Sequence, residues 1–125
     1  MKDVTLSASQ IRYLISLYRL SGEGVGVRSV ELAATLGLSR PSVHNMLRVL
    51  CAMELLEQES FGLAHLTERG RALAEKYVSC LGLLKARMHT VLGANAVREG
   101  ALCALLADLS EAALEDFYLQ SRKEN

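Results

Sequence analysis

A chain of 125 residues has the length of one domain and can bury a core without disulfides or a structural metal. Half of it is hydrophobic and 22% is charged, which excludes a disordered chain. Lys plus Arg and Asp plus Glu both number 14, so a uniformly basic, histone-like protein is excluded while local charge asymmetry is not.

Residues 1–10 lack the basic-then-apolar pattern of a signal peptide, and the longest apolar stretches, such as 102–107, are too short to span a bilayer. Three widely spaced cysteines (Cys51, Cys80, Cys103) with no CxxC pair read as reduced thiols in a cytoplasmic protein, not as a zinc ribbon or disulfide scaffold.

Ser7 and Gln10 have capping-box spacing, and Ile11, Leu14, Ile15 and Tyr18 recur at i, i+3, i+4, i+7, predicting a helix over about 8–20. Gly22, Gly24 and Gly26 read as a turn, followed by a short strand at 25–27. A second helix is expected over 29–36, with Val30, Leu32, Ala33 and Leu36 on its apolar side and Gly37 as its stop. Ser39 can cap a third helix, with Pro41 in its first turn, running to about 53 with Val43, Met46, Leu47 and Leu50 as its stripe. Leu55–Glu59 and Leu63–Leu66 read as a hairpin around Ser60, Phe61 and Gly62, with Gly62 at positive φ. Two helices joined by a tight glycine turn and followed by a hairpin make a winged helix-turn-helix.

Thr67 then caps a long helix over about 68–91, in which Leu73, Tyr77, Leu81, Leu84, Met88 and Val91 form a heptad-like seam ended at Gly93. A fifth helix is expected over about 94–107 and a sixth over about 111–120, capped by Ser110, with residues 121–125 frayed. The sequence therefore divides into a winged helix-turn-helix over 1–75 and a helical dimerisation domain over 76–125.

No hydrolase, P-loop, zinc-protease or dinucleotide motif is present, and His44, His65 and His89 have no partner at metal-ligand spacing, so an enzyme is not expected. The functional signal lies in the third helix. At about 100° per residue its apolar stripe centres on Val43, Leu47 and Leu50, leaving Asn45 and Arg48 on the opposite side and Ser42 and His44 on the flanks. The second helix of a helix-turn-helix enters the major groove with its N-terminal part. There Asn45 can bond adenine bidentately, Arg40 or Arg48 can bond guanine or phosphate, and Pro41 and Ser42 can touch a thymine methyl or the backbone. Residues 1–50 hold six basic residues (Lys2, Arg12, Arg19, Arg28, Arg40, Arg48) against three acidic ones (Asp3, Glu23, Glu31), a local charge of +3. The wing is acidic instead, with Glu57 and Glu59 beside its tip, and phosphate would repel it.

Three segments carry a resemblance: Leu36-Gly37-Leu38-Ser39-Arg40-Pro41-Ser42-Val43, Leu66-Thr67-Glu68-Arg69-Gly70-Arg71-Ala72-Leu73-Ala74, and Cys103-Ala104-Leu105-Leu106-Ala107-Asp108-Leu109-Ser110-Glu111. In order and spacing they resemble the diphtheria toxin repressor and manganese transport regulator family of metal-dependent repressors, over about residues 5–120. The resemblance implies a homodimer assembled through the C-terminal helices, with DNA contacts from Ser39, Pro41, Ser42 and Asn45. It also leads us to expect that the SH3-like domain carried by some members is lacking.

The family binds Mn or Fe through carboxylates, histidines and sometimes a cysteine or methionine. In ungapped register those positions fall on Arg12, Ile15, Leu81, Leu106 and Ala107, leaving only Cys103 and Glu99 as remnant candidates. They are too few for an octahedral site, so no cofactor is expected, and Ile15, Leu81 and Leu106 could pack where a metal would bridge. Glu54 replaces the glycine that ends the family's recognition helix, which costs roughly 1 kcal/mol if the turn stays left-handed. The expected protein is a mainly α, homodimeric regulator of the diphtheria toxin repressor type that binds a pseudo-palindromic duplex, more as a repressor than an activator, without Mn or Fe activation. The alternatives are a metal- or thiol-responsive regulator using Cys103, and a winged-helix protein-interaction module that binds no DNA.

Overall fold

The computed structural model describes residues 5–22, 24–59 and 62–124. Its elements run α1 (Ala8–Ser21), β1 (Val27–Arg28), α2 (Ser29–Leu36), α3 (Arg40–Ala52), β2 (Leu56–Gln58), β3 (Leu63–Leu66), α4 (Glu68–Leu92), α5 (Glu99–Asp108) and α6 (Glu111–Glu124). They form two compact units, Tyr13–Glu75 and Met1–Arg12 with Lys76–Asn125.

The first unit is a winged helix. The expected capping box opens α1, whose residues up to Arg12 belong to the second unit: Ser7 N donates to Gln10 Oε1 at 3.0 Å and Gln10 N to Ser7 Oγ at 3.1 Å. Leu32, Ala33 and Leu36 of α2 and Val43, Leu47 and Leu50 of α3 are buried, as are Ile15, Leu55, Leu56 and Ala64 around them in the sequence. Three antiparallel strands form a small sheet in the order β1-β3-β2, with Val27 opposite Ala64 and Glu57 opposite His65.

Both helices of the helix-turn-helix end on a left-handed residue. Gly37 takes φ 68° after α2, with Leu38 N bonding back to Ala33 O. After α3 the same geometry is imposed on Glu54 (φ 63°): its N–H donates to Cys51 O and Leu55 N donates to Leu50 O, the paired bonds of a Schellman turn. An L side chain costs about 1–2 kcal/mol there. The turn is held nonetheless, because Thr67 Oγ1 donates to Glu54 O at 2.8 Å and accepts from Gly70 N at 2.9 Å. One hydroxyl thus fixes the end of α3 and the start of α4. Gly70 makes the approach possible, since a Cβ on it would lie 2.0 Å from Leu55 O.

In the second unit, Lys76 Nζ meets Glu115 Oε2 at 2.7 Å, Ser79 Oγ meets Ser121 Oγ at 2.7 Å, and Arg87 pairs with Glu124. The paired numbers rise together, so α6 runs parallel to this part of α4, with α5 as the return. Tyr118 lies under both Lys76 and Arg122, their cationic groups 5.7 and 5.8 Å from the ring centre. Leu81, Leu84, Leu102, Cys103 and Leu106 are buried.

Several sequence expectations shift. The first strand is Val27–Arg28, not 25–27, because its pairing partners are Ala64 and Leu63. Val30 is 44% exposed, lying across the short α2 from Leu32. Val91 is 71% exposed at the end of α4 and adds nothing to the seam. The fifth helix begins at Glu99 and not at 94, because Gly93 (φ 98°) and Asn95 (φ 59°) are left-handed and a right-handed helix cannot pass through them. Residues 121–124 are helical instead of frayed: Ser121 is fully buried, and its hydroxyl donates to Tyr118 O at 2.6 Å. The hairpin tip at Ser60 and Phe61 lies outside the described residues; Gly62 beside it takes the expected positive φ, 85°.

Because Glu54 bears the left-handed turn, Glu54→Gly should stabilise the protein by about 1 kcal/mol. Urea unfolding at neutral pH measures this as a higher midpoint with an unchanged slope; an unchanged or lower midpoint would show that the turn carries no strain.

Candidate nucleic-acid interface

The site is built on α3. Ser39 precedes it in extended conformation (φ −74°, ψ 156°); its Oγ accepts from Ser42 N at 3.3 Å and lies 3.0 Å from Ser42 Oγ, so both hydroxyls help close the first turn. Pro41 sits in that turn, where no N–H is required. With Val43, Leu47 and Leu50 fully buried, the opposite face has to be open: Pro41, Ser42, Asn45 and Arg48 are exposed on it, and Arg40 and His44 are exposed beside the stripe. Asn45 and Arg48 share that open face.

Arg40 and His44 do something the sequence did not reveal. Together with Arg28 they line a cleft of about 470 Å³, whose other walls include Val30, Gly62 and Leu63. Arg28, exposed at the end of β1, belongs to the site although only the local excess of basic residues pointed to it. Its backbone N–H donates to Glu31 Oε1 at 3.3 Å, which ties that carboxylate to the backbone. Among the described residues, none of the ion pairs includes Arg28, Arg40 or Arg48.

Glu57 and Glu59 on the wing are exposed, and the Glu59 carboxylate pairs with the His65 imidazole.

The family's metal positions hold the wrong chemistry. Ile15, Leu81 and Leu106 are buried aliphatic side chains at 0, 1 and 1% exposure, Ala107 is a methyl group and Arg12 is an exposed cation. None of these side chains offers a metal a lone pair. Cys103 is 1% exposed, and Glu99 lies on the same helix with Oε2 3.6 Å from Lys85 Nζ. Among the described residues no three His, Cys, Asp or Glu side chains gather as a metal cluster, and no helix is long and apolar enough to cross a membrane.

Residues 17–60 match the IclR helix-turn-helix domain. No curated protein matches the chain in sequence. Among solved structures, IdeR of T. acidophilum aligns with a TM-score of 0.66 at 16% identity, covering 96% of this chain and 55% of its own. The manganese regulator SloR aligns at 0.70 and 21%, covering 86% and 51%. ScaR with bound Zn2+ aligns at 0.64 and 25%, covering 86% and 51%. The fold is that of a winged-helix DNA-binding regulator. It resembles the diphtheria toxin repressor type over most of this chain, which spans about half the length of those three. A helix-turn-helix is a DNA-reading module and not a catalytic one.

None of the three cysteines forms a disulfide. Burial raises the Cys80 thiol from its usual value near 9.0 to about 11, and burial followed by the charge of Glu57 raises Cys51. The native state holds the Cys80 proton more tightly than the unfolded state does. Its stabilising effect is therefore complete below pH 9 and lost as pH rises toward 11. Urea unfolding of wild type and Cys80→Ala across this range should show a steeper alkaline loss in wild type; parallel curves would contradict the buried thiol.

Proposed function

We propose that the protein is a transcriptional regulator, a repressor by resemblance, that binds a pseudo-palindromic DNA operator as a homodimer and needs no Mn or Fe to do so. The observation that carries this is the exposed polar face of α3, held by the Ser39 cap and backed by a fully buried stripe. Asn45 and Arg48 are its base readers, with Pro41 and Ser42 nearer the backbone. Residues 1–75 act as the reading head and 76–125 as the dimerisation part. An isologous dimer matches a two-fold operator. It would also cover Leu105 and Leu119, 44 and 49% exposed, and the half-buried Leu109, Leu114 and Phe117. Sedimentation at twice the 13.7 kDa chain mass is the corresponding observation.

Metal independence is supported by the donor set: SloR is a manganese regulator and ScaR binds Zn2+ and Cd2+, whereas this chain carries aliphatic side chains at the positions where the resemblance puts the ligands. Cys103 is too deeply buried to favour a thiol sensor.

Selection of duplexes from a random library at moderate salt and with a chelator should enrich a two-fold symmetric sequence. Asn45→Ala should then cost about 1–3 kcal/mol on that operator and relax one base position, with folding intact. No enrichment would favour a protein-interaction module. A tenfold or larger gain with Mn, Fe, Co or Zn, abolished by Cys103→Ala, would show that a metal switch survives.

A further inference from the structure

The cleft between β1, the start of α2, α3 and the wing has a composition that a folding role does not explain. Arg28 and Arg40 converge on it with His44; among the described residues no carboxylate lines it and neither guanidinium belongs to an ion pair. Two like charges brought to one cleft repel unless an anion sits between them.

Position on α3 separates these side chains from Asn45. At about 100° per residue Arg40 and His44 lie about 40° apart, beside the edge of the apolar stripe, while Asn45 lies about 140° from Arg40. Arg40 and His44 thus point along the flank of the helix toward the wing, and Asn45 points away from the core. On the wing side of the cleft, no other described atom lies within 4 Å of where a Cβ on Gly62 would be, its chain neighbours aside. Val30 and Leu63 add apolar surface of the kind a sugar can rest on.

We propose that this cleft seats one backbone phosphate of the DNA duplex, clamped by Arg28 and Arg40 with His44 as a third donor. The proposal rests on the DNA-binding reading and sharpens it: Arg40 and His44 become contacts that position the duplex, Arg28 joins them, and sequence readout is left to Asn45 and Arg48. A guanidinium fork matches two phosphate oxygens, and a phosphate contact fixes register without carrying sequence information.

The test uses the full chain, the selected operator and a scrambled duplex, titrated between 50 and 200 mM salt. Arg28→Ala and Arg40→Ala should each weaken both duplexes by a similar factor, roughly 3- to 10-fold near 0.1 M salt, and each should flatten the slope of log K against log salt by about 0.9. Asn45→Ala should weaken the operator alone and leave the slope unchanged. Neutral methylphosphonates scanned along the operator should reveal one position per half-site that weakens wild type and not Arg28→Ala. Circular dichroism of Arg28→Ala should match wild type, since the side chain is exposed.

An Arg28→Ala protein with unchanged affinity and slope, or one that loses the operator but not the scrambled duplex, overturns the clamp while leaving the DNA-binding reading intact. Inorganic phosphate that competes with the duplex beyond its effect on ionic strength would assign the cleft to a free anion and overturn it too. Wild-type protein that binds neither duplex overturns the DNA-binding reading, and the clamp with it.

Discussion

Everything the winged helix can do depends on how α3 is stopped at both ends. At its start the Ser39 hydroxyl takes the N–H of Ser42. At its end Glu54 is forced left-handed, and its carbonyl is held by Thr67, whose hydroxyl also caps α4. A recognition helix presents a usable face only if its rotation about its own axis is fixed. Val43, Leu47 and Leu50, all at 0% exposure, set that rotation, and the two stops set its length and exit. The strained Glu54 turn is tolerated because it sends the chain directly into the wing, where Leu56 pairs with Leu66. Thr67 follows at once to complete the link.

The charge distribution follows the same geometry. Net charge is zero over the whole chain, yet β1 and α3 bring Arg28 and Arg40 to one cleft, neither in an ion pair among the described residues. In the second unit Lys76, Lys85 and Arg87 are matched by Glu115, Glu99 and Glu124. Paired charges on exposed helices contribute little to stability; unpaired ones leave a field for a polyanion.

Much of this was legible in the sequence because the signals were local. The Ser7–Gln10 box, the Gly37 stop, the Ser39 cap with Pro41, and Thr67 each specify a helix end through side chains within four residues, and each appears where expected. The stripe of α3 follows directly from its period, and with it the exposure of Asn45 and Arg48. What was not legible depends on long-range partners. The register of β1 is set by Leu63 and Ala64, some 36 residues on. The helical C-terminal turn is held by Ser79 meeting Ser121 across 42 residues. Arg28 joins Arg40 and His44 only once β1, α2, α3 and the wing are assembled. The start of α5 was misplaced because the left-handed Asn95 looks, in sequence, like an ordinary polar helix residue.

The most direct test of the central claim maps backbone amide shifts of the full chain by NMR as the selected duplex is added. The account predicts perturbations concentrated over Ser39–Ala52 and Arg28–Val30, with Asn45 and Arg48 among the largest. Perturbations confined to α5 and α6, or absent altogether, would contradict it.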